Sequence, residues 1–119
     1  MSRVRAGKFF VLGFEGLRVP RNIAAFTRRF GLGGVILFAR NCPDAEAVRR
    51  LADEVHATLA DPEDGTRPLV LVDQEGGRVE RIRDGVPRLP PAREMARLGE
   101  EALSDLAEGQ SRALAALGV

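Results

Sequence analysis

The sequence predicts an α/β fold with a parallel sheet, in the order β-α-β-α-β followed by a long loop and a last helix. Three short runs are apolar on successive residues, which is typical of strands covered on both faces. Segments with apolar residues at helical spacing separate these runs, and this alternation favours right-handed crossovers between parallel strands. The chain of 119 residues has room for one small domain.

The first β-α unit is predicted at the start of the chain, with its strand over residues 9–12. A helix begins at Pro20, because proline suits the first turn of a helix. It ends at Gly31, since glycine readily adopts the left-handed conformation that stops a helix. The apolar face of this helix comprises Ile23, Phe26 and Phe30.

The second unit has the clearest amphipathic pattern. Its strand is predicted over residues 34–38, and residues 41–44 begin its helix. The acidic residues Asp44 and Glu46 suit the first helical turn, because they complement the helix dipole. One face carries apolar residues at spacings of three and four: Val48, Leu51, Ala52, Val55 and Leu59.

The third strand is predicted over residues 68–73, and a long loop over 74–91 follows it. The remaining residues form a helix that ends at Gly118 and presents one face of Leu103, Leu106, Ala107, Gln110, Leu114 and Leu117. Two of the three strands would be hydrophobic edges, which is an aggregation hazard in a free domain. We therefore expect the chain to be part of a larger fold.

Composition excludes several classes of function. Lys+Arg number 18 and Asp+Glu 17, so the formal net charge of +1 argues against a strongly basic nucleic-acid face. With Cys42 and His56 as the only residues of their kinds, neither an internal disulfide nor a cysteine-based zinc site is expected. No apolar stretch reaches the length of a secretory signal or a membrane span, so no membrane association and a cytoplasmic location are expected.

The segment after the third strand is the richest in functional side chains. Ligands of parallel α/β proteins bind at the carboxyl ends of the strands, and Asp73 ends an apolar run there. Its carboxylate can accept hydrogen bonds from two vicinal hydroxyls, a geometry that sugars offer. Gly76 and Gly77 allow a sharp turn, and Arg78 and Arg81 offer planar donors.

Other interpretations remain open for each of these residues. Asp73 can instead cap the loop or pair with Arg78, and Glu75 is expected to be an ion-pair or loop-anchoring group. On the other two strand-end loops, Glu15 is expected to be a solvated acid and Arg40 a possible ligand contact, while Asn41 suits a turn or helix cap equally well. Two remaining side chains are not expected to be catalytic: His56 and Cys42.

Three stretches of the chain form a recognisable set: GGVILFARN at 33–41, LVDQEGGRV at 71–79 and RLP at 88–90. Together they resemble the N-terminal part of glycoside hydrolase family 3, and in particular its bacterial β-N-acetylhexosaminidase branch. The resemblance implies that residues 1–119 are the first part of a (β/α)8 barrel. It also implies retaining hydrolysis of terminal, non-reducing β-linked N-acetylglucosamine, as in the recycling of cell-wall muropeptides, with no metal or organic cofactor.

The resemblance assigns Asp73 and Arg81 to substrate binding. It places the family's Asp nucleophile and its His-containing acid/base loop beyond Val119, so no catalytic residue is assigned within the chain. We therefore expect the 119 residues alone to be inactive.

Two alternatives are kept. One is the β-glucosidase branch of the same family, against which the Gln-Glu-Gly-Gly after Asp73 argues. The other is a non-enzymatic α/β ligand-binding module, such as a receiver-like domain with Asp73 as the acceptor. That module needs an acidic cluster after the first strand and a downstream lysine, but only Glu15 is available and no lysine follows Lys8.

Overall fold

A computed structural model describes residues 4–119 and shows a parallel sheet of three strands in the order β1-β2-β3. The strands are β1 (Val11–Leu12), β2 (Gly34–Leu37) and β3 (Leu69–Val72). The crossover helices are α1 (Arg21–Phe30) and α2 (Ala45–Thr58). The predicted parallel β-α-β-α-β arrangement is confirmed.

The strand register brings the three strand ends together at one edge of the sheet. Along the β2–β3 pair, Gly34 lies opposite Leu69 and Leu37 lies opposite Val72. Because the strands are parallel, the loops that follow them all leave from this edge, which we call the rim. Asp73 is the first residue of the third loop at the rim.

The core lies between the sheet and α2. Asp44 is the N-cap of α2, and its side chain accepts a hydrogen bond from the Ala47 amide at 2.7 Å. This cap is worth about 1 kcal/mol. The residues of β2 and α2 that are buried in this core are Val35, Leu37, Val48, Leu51, Ala52 and Val55.

The segment predicted as a loop over 74–91 contains an antiparallel hairpin, so that prediction was wrong. Its strands are β4 (Gln74–Gly76) and β5 (Val79–Glu80). Gly77, with φ of 60°, occupies the first position of the two-residue turn. A positive φ at this position is characteristic of type II′ hairpin turns, which glycine makes accessible.

The boundaries differ from the prediction at both ends of the chain. A 3₁₀ turn over Ala6–Phe9 occupies part of the expected first strand. The last helical region is divided into α3 (Ala92–Met95) and α4 (Glu100–Ala116). Ala107, expected on the apolar face of α4, is exposed.

The two edge strands of the sheet, β1 and β3, carry exposed hydrophobic residues. Val11 of β1 is 48% exposed and Leu69 of β3 is 66% exposed.

A charged cluster ties the start of the chain to the loop before β3, on the side opposite the rim. Arg5 Nε lies 3.2 Å from Asp61 Oδ2, and Arg5 Nη2 donates to the Thr27 carbonyl at 2.8 Å. Lys8 pairs with Asp64 beside it.

Among residues 4–119, none of the helices is both long enough and apolar enough to traverse a bilayer.

Candidate sugar-binding site

Asp73 lies at the rim, between the last residue of β3 and the first residue of β4. Its side chain is 45% exposed, which leaves the carboxylate accessible to a ligand. The adjoining strand is apolar, so the carboxylate stands at the boundary between the core and solvent. At this position β3 holds the backbone of Asp73 in place, while the carboxylate can accept hydrogen bonds from a bound molecule.

Arg81 is brought next to Asp73 by the hairpin. Arg81 Nη2 lies 3.9 Å from Asp73 Oδ2. This separation is too long for a hydrogen bond, although the opposite charges still attract each other. Both groups therefore retain hydrogen-bonding capacity for a ligand. The alternative pairing of Asp73 with Arg78 does not form, and Arg78 is exposed.

Arg81 lies between two buried neighbours in the sequence, Glu80 and Ile82, each with 2% exposure. The chain bends at residue 81, directly after β5, and the Arg81 guanidinium lies beside Asp73 at the rim. Its side chain remains 30% exposed.

Glu80 is a structural carboxylate that the sequence interpretation did not identify. It accepts hydrogen bonds from the Leu89 amide at 3.0 Å and from Arg88 Nε at 2.9 Å. These bonds fasten the loop after β5 to the hairpin. The sequence carries no clear signal for this role, because β5 comprises only two residues and shows no alternation.

Gly76 permits close packing of the hairpin against this same loop. A Cβ atom at Gly76 would lie 2.4 Å from the Pro90 carbonyl oxygen, and the residue has a φ of 93°. The Gly77 amide donates to the Leu89 carbonyl at 3.1 Å. The glycine pair therefore provides both a turn and a close approach between two backbones.

The loops after β1 and β2 are joined to each other by contacts that do not involve Asp73. Arg40 Nε lies 3.0 Å from Glu15 Oε1, and the Arg40 guanidinium stacks over the Phe38 ring at 4.5 Å. Asn41 is fully buried and donates to the carbonyls of Phe14 (3.1 Å) and Gly16 (2.7 Å). Asn41 is thus an anchor of these loops, consistent with the turn interpretation.

The remaining expected residues take other positions. Glu75 is exposed and forms no ion pair with any residue from 4 to 119. His56 lies in the last turn of α2, at the end of the crossover that leads away from the rim. Within the described chain, no group of three His, Cys, Asp or Glu side chains is placed to hold a metal ion.

Arg81 also lines a depression of about 290 Å³ beside the loop after β2. The other lining residues are Ala39, Cys42, Pro43, Arg83 and Asp84. Burial raises the pKa of Cys42 from an ordinary 9.0 to about 11, and the positive charge of Arg81 opposes this effect. A thiol with so high a pKa is a poor nucleophile at neutral pH.

We expect Cys42 to react slowly with iodoacetamide in the folded protein. At pH 8, the raised pKa makes its thiolate about a hundredfold less abundant than in an unfolded chain, and burial slows alkylation further. Peptide mapping by mass spectrometry with and without urea measures the two rates. Equal alkylation rates with and without urea would contradict this account of Cys42.

The same thiol makes the stability of the fold depend on pH. Because the pKa of Cys42 is raised in the folded state, protonated Cys42 contributes stability below about pH 9. This contribution is lost as the pH rises through about 11.

Comparisons of the sequence and of the structure with known proteins point to the same family. The profile of the family described as "Glycosyl hydrolase family 3 N terminal domain" matches residues 4–119. A protein named "Beta-hexosaminidase" from Nitrosospira multiformis is 41% identical over 91 residues, which are 76% of this chain and 25% of that protein. The chain spans about a quarter of the length of that curated relative.

Two solved structures share the fold at higher coverage of this chain. A glycoside hydrolase family 3 beta-N-acetylglucosaminidase from Paenibacillus sp. superposes with a TM-score of 0.84 at 29% identity, over 97% of this chain and 22% of that one. The Beta-N-acetylhexosaminidase from Beutenbergia cavernae gives 0.83 at 26% identity, over 97% of this chain and 35% of that one. The sheet and its crossovers are the first part of a (β/α)8-type barrel. The chain belongs to glycosyl hydrolase family 3, whose N-terminal domain it matches from residue 4 to residue 119.

Proposed function

We propose that the full-length protein hydrolyses terminal, non-reducing β-linked N-acetylglucosamine with retention of configuration. In this proposal the 119 residues form the N-terminal part of the catalytic barrel and supply Asp73 and Arg81 to the sugar-binding site. The observation that carries it is the placement of Asp73 at the carboxyl end of β3 with Arg81 Nη2 at 3.9 Å.

The chemistry of this pair suits a sugar. Asp73 supplies a charged acceptor for two neighbouring hydroxyls, and Arg81 supplies a charged donor for a further oxygen. Hydrogen bonds to charged groups are worth about 1.5 to 3 kcal/mol each, which is enough to orient a monosaccharide. The names of the relatives support N-acetylhexosaminides as the substrate class.

The bond-breaking groups are assigned to the rest of the barrel. A retaining glycosidase needs a nucleophile and an acid/base, and the family resemblance places both after residue 119. Asp73 is therefore proposed as a binding residue and not as the nucleophile. The proposal extends to muropeptides as substrates and to a cytoplasmic location, both of which rest on the family resemblance.

Two chromogenic substrates test the proposal in the full-length protein. We expect kcat/KM for 4-nitrophenyl N-acetyl-β-glucosaminide to exceed that for 4-nitrophenyl β-glucoside at least about tenfold, because loss of contacts to the N-acetyl group costs about 1.4 kcal/mol or more. The reverse preference would identify a β-glucosidase. Turnover of neither substrate would favour a non-enzymatic binding module.

A further inference from the structure

We infer that Gln74 is a positioning residue, which holds Arg81 in register with Asp73 by binding the backbone of residues 81 and 82. This inference rests on the proposed function, in which Asp73 and Arg81 bind the sugar. Gln74 directly follows Asp73, so one short stretch of chain carries the acceptor and also fixes the donor.

The Gln74 side chain makes three hydrogen bonds to the segment after β5. Its Nε2 donates to the Ile82 carbonyl at 2.7 Å. Its Oε1 accepts from the Arg81 amide at 3.0 Å and from the Ile82 amide at 3.1 Å. Backbone pairing of the hairpin ends at the Gln74–Glu80 pair, and the side-chain amide takes over where the strands stop.

Only a side-chain amide of this length can both accept from the two backbone amides and donate to the Ile82 carbonyl. A carboxylate accepts the two amide hydrogens but cannot donate to the Ile82 carbonyl, while an apolar side chain leaves all three backbone groups unpaired. Glutamine supplies one acceptor and one donor on the same planar group. The identity of residue 74 is thus explained by the backbone of residues 81 and 82.

The Arg81 guanidinium depends on this anchorage. Its Nε is buried and has no hydrogen-bond partner among residues 4–119, and its Nη2 lies beyond hydrogen-bond distance of Asp73. No strong bond of its own therefore holds the guanidinium at the rim. Its position follows from the backbone of residue 81, which Gln74 binds directly.

A double-mutant cycle in the full-length enzyme tests this coupling. We expect Gln74→Met to lower kcat/KM about tenfold, since a displacement near 1 Å in a substrate-positioning group can cost up to about a hundredfold. In an Arg81→Ala background, the same substitution is expected to lower kcat/KM less than about twofold. Glu75→Gln, at the exposed neighbouring position, is the matched control and is expected to change kcat/KM less than about twofold in both backgrounds.

A crystal structure of the Gln74→Met enzyme provides a readout independent of activity. We expect Arg81 to be displaced, with Nη2 further from Asp73 than the present 3.9 Å. Where the methionine variant fails to fold, Gln74→Glu replaces it in both experiments. It keeps the two bonds from the backbone amides but sets a carboxylate oxygen against the Ile82 carbonyl in place of the present donor. We therefore expect displacement of Arg81 in the same direction and a loss of kcat/KM of about threefold, absent in the Arg81→Ala background.

Unchanged placement of Arg81, or equal losses in the two backgrounds with the fold intact, would overturn the inference. Wild-type kinetics for Arg81→Ala alone would refute the proposed role of Arg81 in sugar binding. In that case the position of Arg81 in the Gln74 variant still decides the role of Gln74.

Discussion

Replacement of Asp73 by alanine in the full-length enzyme is expected to lower kcat/KM for an N-acetyl-β-glucosaminide about tenfold to a hundredfold. The substitution removes a charged acceptor of sugar hydroxyls, each such hydrogen bond being worth about 1.5 to 3 kcal/mol. It also leaves Arg81, 3.9 Å away, without its nearest counter-charge at the rim. Steady-state kinetics on a chromogenic substrate measure the effect.

Asp105→Ala is the matched control for this experiment. Asp105 is an exposed carboxylate on α4 and forms no ion pair with the rest of residues 4–119. Its replacement is expected to change kcat/KM less than about twofold. If Asp73→Ala retained wild-type kcat/KM and Tm, Asp73 would not be a substrate contact.

The largest effect on stability is expected from Gly76→Ala. The new methyl group would meet the Pro90 carbonyl oxygen at 2.4 Å and the Leu89 carbonyl oxygen at 2.9 Å. The φ of 93° adds strain for any residue with a Cβ. Backbone strain and overpacking each cost about 1 to 3 kcal/mol, so we expect a loss of about 3 kcal/mol or more, measured by urea unfolding.

Gly109→Ala provides a control with the opposite sign. Gly109 lies inside α4, and a Cβ atom there would meet no neighbouring atom within 4 Å. Alanine in a helix interior is favoured over glycine by about 0.5 to 1 kcal/mol where its Cβ meets no clash, so this variant is expected to be slightly stabilised. A Gly76→Ala protein as stable as the wild type would show that the loop after β5 yields without cost.

Local patterns in the sequence were sufficient to predict the parallel sheet. The apolar runs at β2 and β3 and the amphipathic spacing of α2 depend on residues close in sequence, so they are readable from the chain. The same pattern predicted that Asp73 lies at the rim, because the apolar run that forms β3 ends at Val72 and Asp73 follows it directly. The resemblance to the family added Arg81 as a second expected substrate contact.

The hairpin and its anchors were not predicted, for a physical reason. β4 and β5 are too short to show a clear period, and their pairing depends on the positive φ of Gly76 and Gly77. The contacts of Gln74 and Glu80 join side chains to backbone groups seven to nine residues away. Such contacts depend on the path of the intervening loop, which residue type alone does not determine.

The most direct test of the sugar-binding site is a crystal structure of the full-length enzyme with N-acetylglucosamine. We expect two hydroxyls of the sugar within about 3 Å of the Asp73 carboxylate oxygens and a further oxygen within the same distance of Arg81. A sugar bound in the barrel with Asp73 and Arg81 both free of contact would contradict the account.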